Sequence, residues 1–242
     1  GLRGAVSLAC GINLLVAAGS FAAAAISKPQ GAETSPAEAS TATGQGGRFR
    51  LAMFVVAATG FISLSYEILW YRVHSFTTGG RALAFSAMLG SFLLGIAFGS
   101  LFARRFCVGV GGTGERRALV HFVLFANASG FLVAPLSARL ASAFPAEAYP
   151  LLLIPVTLSA GLLGAVFPLV CHFGVAPNER AGSGLSLLYL ANIIGSAGGS
   201  LLTGFVLMDL VGLAGISQIL AVLGAALAAA LVFLFRLESR QR

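Results

Sequence analysis

An all-α, polytopic membrane helix bundle is the fold class this chain predicts, on three observations. Seven apolar stretches of membrane-spanning length, cut by short polar gaps, fill almost all of its 242 residues. Only 10% of the residues are charged and 57% are hydrophobic, whereas a soluble domain carries roughly 25% charged residues. The period-2 alternation of a membrane barrel strand is absent, which leaves the helix as the segment that can satisfy its own backbone in lipid.

The apolar stretches lie at about 5–26, 51–71, 82–103, 118–138, 150–173, 184–208 and 212–235. They predict about seven transmembrane helices: one N-terminal helix within 1–26 and a six-helix membrane domain over 50–236. The first stretch follows Arg3 and runs apolar to Ala25. A cleaved signal peptide is its rival reading, and Asn13 in mid-run argues against it. The chain begins at Gly1 and not Met, which reads as a fragment or a processed product.

Residues 27–49 follow as a disordered linker, rich in Ala, Ser, Thr and Gly, with Pro29 and Pro36 and no large apolar residue before Phe49. Such a stretch buries too little surface to offset its ordering entropy. The second apolar stretch opens after Arg50 and closes on Trp70, Tyr71 and Arg72, and the third lies between Arg81 and Arg104. The fourth sits between Arg117 and Arg139 and holds His121 and Asn127. The fifth carries Pro155 and Pro168, which kink a membrane helix and leave carbonyls for neighbours to satisfy. The sixth carries Asn192 and a run of glycines; a turn capped by Asp209 leads to the seventh, which ends at Arg236. Residues 237–242 read as a cytoplasmic tail.

Orientation follows from Lys and Arg, which concentrate in cytoplasmic loops. Arg3, Arg72, Arg81 and Arg139 collect on one side, 4 of the 15 cations; the other 11 collect on the opposite side. The second side is therefore expected to be cytoplasmic, with the N-terminus outside and the C-terminus inside. This topology signal also accounts for most of the net charge of +7 without any nucleic acid partner. The expected location is a bacterial inner membrane, and the expected partners are the bilayer and other membrane chains.

No catalytic residue is assigned. Gly-rich phosphate loops, nucleophile elbows and paired zinc-binding histidines are all absent, so the chain reads as no enzyme and no cofactor is expected. Cys10, Cys107 and Cys171 are too few and too scattered for a disulfide framework, and no metal site is expected.

The candidate chemistry is intramembrane. Glu67 is a carboxylate at bilayer depth, which costs roughly 2.5–3.5 kcal/mol and must face the bundle interior, a cavity or a partner. Two readings stand. One is a cation or proton site formed by Glu67, Tyr66 and Asn192. The other is a structural ion pair with Arg72, Arg81 or His74, beneath an aromatic belt of Trp70 and Tyr71. Gly95 with Gly99, and Gly195 and Gly198 with Gly199, put small residues a turn apart, the pattern of close helix packing. There is also an internal echo. Gly1-Leu2-Arg3-Gly4 opens the first stretch and Gly212-Leu213-Ala214-Gly215 the last, as if the first closed a preceding six-helix repeat.

Thr59–Arg72 (TGFISLSYEILWYR) resembles the first helix of the membrane region of spermidine synthase-like membrane proteins, the fused major facilitator/spermidine synthase proteins. That helix carries a similar SG-x-x-x-L-x-YE-x-x-W-x-R signature. Phe85–Ala103 is similar to the family's Gly-spaced second helix, and Leu188–Gly199 (LYLANIIGSAGG) to its YxxNtxGaxxG motif. The aminopropyltransferase-like domain of that family has no counterpart here, and Ala103 stands where the facilitator loop after the second helix has Asp. The resemblance implies a half-major-facilitator-like membrane domain.

Three functions follow as expectations. The leading one is a transport or substrate-access module for a cationic small molecule such as a polyamine, completed by a homodimer or a second half. The alternative is a non-catalytic accessory subunit packed by its glycine faces into a larger complex. The third is a membrane anchor for an enzyme on another chain, docked at the Arg104–Arg117 loop or the Arg-rich tail.

Overall fold

The computed structural model describes residues 2–26, 42–80, 82–107, 113–144, 149–176 and 181–240. They form helices α1 (Leu2–Ile26), α2 (Ala42–Thr77), α3 (Ala82–Cys107), α4 (Thr113–Ala143), α5 (Tyr149–Gly174) and α6 (Ala181–Leu202). A π-helical segment (Thr203–Leu207) then leads through the short α7 (Met208–Leu210) to α8 (Leu213–Arg240). No strand occurs among the described residues, and the all-α expectation holds.

Six helices are long and apolar enough to cross a membrane: Gly46–Thr77, Leu83–Cys107, Arg116–Ala143, Pro150–Gly174, Ala181–Leu210 and Leu213–Arg236. The chain is an integral membrane protein by architecture. In α1 the apolar stretch shortens to Val6–Ala22. It belongs to a separate unit, Gly1–Thr41, and the six long helices make up the other, Ala42–Arg242. Within its own unit α1 exposes Leu8, Leu14, Leu15 and Phe21.

Two boundaries differ from the sequence reading. Helix α2 begins at Ala42, so the last residues assigned to the linker are helical, and 27–41 lie outside the described residues. Gln45, Arg48 and Arg50 are good helix formers, and they extend an apolar helix backwards into the polar phase. At the other end α8 runs through the expected tail as far as Arg240.

Consecutive helices run up and down. Gly79 and Gly80, at φ 66° and 72°, reverse the chain between α2 and α3, and Gly212, at φ 48°, does so before α8. A side chain at these angles clashes with its own backbone, so glycine suits the turns. The two ends of the bundle are marked by contacts. At one, Arg48 of α2 and Arg116 of α4 both lie over the ring of Phe173 in α5, and Arg116 also over Phe235 of α8. At the other, the last turns of α2 and α4 meet the first turns of α8.

Helix α2 is the hub, packed against α4, α5, α6 and α8. Its Trp70, Tyr66 and Leu69 are fully buried, with Met88, Leu119, Leu169, Leu188 and Leu220 from its neighbours. Helices α6 and α3 are the flanks: α6 packs chiefly on α2, and α3 chiefly on α5. Their outer faces stay open, with Leu190, Ile194 and Phe205 exposed on the α6 side and Leu94, Phe98 and Leu101 on α3.

Both flanks are joined by backbone approach. A Cβ on Gly95 would strike the Thr157 carbonyl, and one on Gly99 would land on the backbone of Gly161. On α6, Gly195 and Gly199 meet the backbones of Ala57 and Phe61 in the same way, whereas Gly198 has only the Phe61 ring within reach. Lipid tails are as apolar as leucine, so association inside the bilayer draws on this close van der Waals contact. Gly224 of α8 instead makes room for the side chain of Asn127 of α4.

Replacing Gly99 or Gly195 by leucine is expected to destabilise the bundle by about 1–3 kcal/mol or more through forced separation of two backbones. Gly182, which has open space around it, is expected to accept leucine with little change. Thermal melts of the three variants in one detergent check the contrast.

Candidate functional site

The site is built on the C-terminal half of α2, where the sequence places Ser65, Tyr66, Glu67, Trp70 and His74 within ten residues. Successive residues on a helix point about 100° apart, so these side chains radiate to different neighbours.

Ser65 points at α6. Its hydroxyl donates to the Gly199 carbonyl at 3.2 Å and accepts from the Thr203 hydroxyl at 2.8 Å. Ser65 and Thr203 are both fully buried. The contacts Ala57–Gly195, Phe61–Gly199 and Ser65–Thr203 advance four residues at a time on both helices, so α2 and α6 run parallel and in register. Thr203 opens the π-helical segment, where backbone bonding shifts to the fifth residue; Met208 N–H accordingly bonds the Thr203 carbonyl. Single π turns inside α-helices concentrate at functional sites.

Tyr66 and Trp70 point at α4. The Tyr66 hydroxyl donates to the Asn127 carbonyl at 3.4 Å, and the Trp70 indole N–H to the Gly130 carbonyl at 3.1 Å. The two rings stack, centroids 5.5 Å apart, and Phe92 of α3 meets Trp70 edge-on. Gly130 leaves room for the Tyr66 ring, which a Cβ there would touch at 2.9 Å. Trp70 is thus inside the bundle and not in an interfacial belt, because its N–H needs a partner that hydrocarbon cannot supply. Tyr71 is part exposed, edge-on to Phe85.

His74 is fully buried one turn further on. Its Nδ1 lies 2.8 Å from the Trp70 carbonyl and its Nε2 3.1 Å from the Leu152 carbonyl of α5, so the ring ties α2 to α5. A neutral imidazole donates to only one of two such oxygens.

Glu67 stands apart. It is half-buried in mid-span and, among the described residues, makes no ion pair or hydrogen bond. Arg72 does not reach back to it: the guanidinium lies the other way, 5.8 Å from the centroid of the Phe76 ring. His74 is occupied by carbonyls. Arg81 lies outside the described residues. Among the described residues the expected ion pair with Arg72 or His74 is not seen: both lie further toward the C-terminal end of α2, Arg72 over Phe76 and His74 between two carbonyls.

The parallel register of α2 and α6 puts Glu67 level with the π-helical segment. Asn192 lies lower. Its backbone oxygen and side-chain Oδ1 would each be 2.7 Å from a Cβ on Gly60, roughly two turns from Glu67 along α2. Tyr66 faces α4 while Asn192 faces α2 from the opposite side, so the structure does not gather Glu67, Tyr66 and Asn192 around one point. What it brings together instead is Ser65 and Thr203. Neither was singled out in the sequence, since Ser and Thr are common in membrane helices and only the register of α2 on α6 pairs them.

Among the described residues no group of three His, Cys, Asp or Glu side chains is placed to hold a metal ion. Cys10, Cys107 and Cys171 form no disulfide among the described residues. Comparison with protein-family models, with curated proteins and with solved structures returns no match.

Thr203→Val and Ser65→Ala are each expected to cost about 0.5–1.5 kcal/mol. In a double-mutant cycle the pair should show coupling, because the two hydroxyls share one chain ending on Gly199. Melting of the four proteins in detergent measures the coupling, and strict additivity would disprove the chain.

Proposed function

We propose that the six-helix unit is a half-facilitator-like transport or substrate-access module for a cationic small molecule, with Glu67 as the cation-binding carboxylate. The observation that carries the reading is Glu67 itself: a half-buried carboxylate in mid-span with no counter-charge among the described residues. An isolated charge at that depth is costly and is retained where it has a partner to receive. The neighbouring polar groups, Ser65, Tyr66, Trp70 and His74, already donate to or contact backbone oxygens, so the carboxylate is the free acceptor of the set.

The open faces of α3 and α6 suit a second six-helix unit, supplied by another copy or another half, and completing the pathway there leaves Glu67 accessible from the shared side. The charge asymmetry of the loops supports an N-out, C-in orientation, and a bacterial inner membrane is the setting that fits. A polyamine is the cation of choice on the resemblance of Thr59–Arg72 and Leu188–Gly199 to spermidine synthase-like membrane proteins. The accessory-subunit reading draws on different observations, the glycine-on-backbone packing and the paired state of Tyr66, Trp70 and His74.

Uptake of labelled spermidine into proteoliposomes separates the two. The transport reading expects saturable uptake, and Glu67→Gln should lower it by at least about tenfold, the value of a charge-assisted contact of 1.5 kcal/mol or more. No uptake by the wild-type protein, together with its recovery at native mass as one subunit of a fixed larger assembly, would leave the accessory role.

A further inference from the structure

At the end of the bundle where α2 and α4 finish and α8 starts, a cleft of about 440 Å³ opens between the three helices. Val73 and Phe76 of α2, Phe131 and Pro135 of α4, and Leu213 and Ser217 of α8 form its walls. Its size is that of a small-molecule site, and its lining is almost wholly apolar.

Two features of the walls are not explained by packing. Ser217 is only 4% exposed, and its hydroxyl has no hydrogen-bond partner. Ser137 shares this state, whereas hydroxyls such as those of Ser100 and Thr157 turn back on their own helices, to Ile96 and Leu153. Ser217 does not. Pro135 has no N–H, so the Phe131 carbonyl lacks its usual donor four residues on. An unmet buried hydroxyl costs about 1–3 kcal/mol unless something fills the cleft and accepts from it.

The charges around the cleft define what that is. Arg72 is exposed and extends along α2 to lie over Phe76, a cleft wall. Arg139 is exposed one residue beyond Ala138, which also lines the cleft. Ser217 lies one turn, about 6 Å, below the start of α8, the depth of an ester group beneath a headgroup. An apolar slot, a hydroxyl donor at ester depth and cations at the surface complement one molecule of the surrounding solvent.

We propose that this cleft is a binding site for an anionic phospholipid, one acyl chain lying between α2, α4 and α8. The Ser217 hydroxyl donates to the ester carbonyl, and Arg72 meets the phosphate, with Arg139 beside it. The site is separate from Glu67 and holds whether or not the bundle transports.

The chain contains its own reporter. Trp70 is the single tryptophan; it precedes Val73 by three residues and bonds the carbonyl of Gly130, next to Phe131. It therefore stands directly behind the cleft. The full chain in detergent is titrated with phosphatidylglycerol carrying dibrominated acyl chains, and separately with dibrominated phosphatidylcholine. Saturable quenching of Trp70, tighter for the anionic lipid, is expected. Ser217→Ala should weaken it about threefold, the loss of one hydrogen bond, and Arg72→Gln about fivefold, the loss of one basic contact near an anionic group. Ala214→Phe, which fills the cleft, should abolish it, while Leu190→Phe on the open face of α6 should not. Helicity by circular dichroism shows that each variant is folded. Quenching that never saturates, that is equal for both lipids, or that survives Ser217→Ala and Arg72→Gln in folded protein would overturn the site.

Discussion

Inside hydrocarbon an N–H or O–H has nothing to donate to except protein, and the arrangement of this bundle follows from how α2 meets that constraint. Ser65, Tyr66 and Trp70 each donate to a main-chain or hydroxyl oxygen, and His74 sits between two carbonyls. Main-chain acceptors are fixed in place by the helices that carry them. One side of α2 is thereby held to α6, another to α4, and its C-terminal end to α5. The aromatic stack of Tyr66 and Trp70 gives the α4 side its area, and the hydroxyl chain through Thr203 gives the α6 side its register.

Glycine supplies the complementary condition. A hydroxyl as short as that of Ser65 reaches a neighbouring carbonyl only if the two helices come within backbone contact, and Gly195 and Gly199 permit it. The same device joins α3 to α5 at Gly99 and Gly161, where the Ser100 hydroxyl adds a hydrogen bond to the Gly164 carbonyl. The two flanks thus share a packing mode, and the α2–α6 one adds the hydroxyl chain from Thr203 through Ser65 to Gly199.

Much of the fold was legible in the sequence because hydropathy and length alone decide which segments cross a bilayer. The six long spans, the prolines within α4 and α5 and the small-residue spacings all stand in plain view. The site was less so. Glu67 is visible as a charge in an apolar run, but its lack of a partner among the described residues depends on where Arg72 and His74 turn, which one-dimensional spacing does not encode. Trp70 next to Tyr71 and Arg72 reads as an interfacial belt, and only the position of Gly130 on α4 shows that its indole belongs inside. Thr203 and Ser217 carry no signal at all until the helices that face them are known.

The π-helical segment has a consequence for the geometry of α6. One extra residue in a turn advances every later side chain by about 100° around the axis. Up to Gly199 the small residues of α6 face α2; beyond Leu207 the side chains have slipped one residue out of the α-helical phase, and Met208–Leu210 lead to the Gly212 turn. The segment thus acts as a phase shifter. It lets a single continuous span obey two angular schedules, one set by close contact with α2 and one by the need to deliver α8 to α4. Deleting one residue from it would restore an unbroken α-helix with both halves facing as they do now, whereas tightening it to α geometry with every residue kept would turn all later side chains by about 100°.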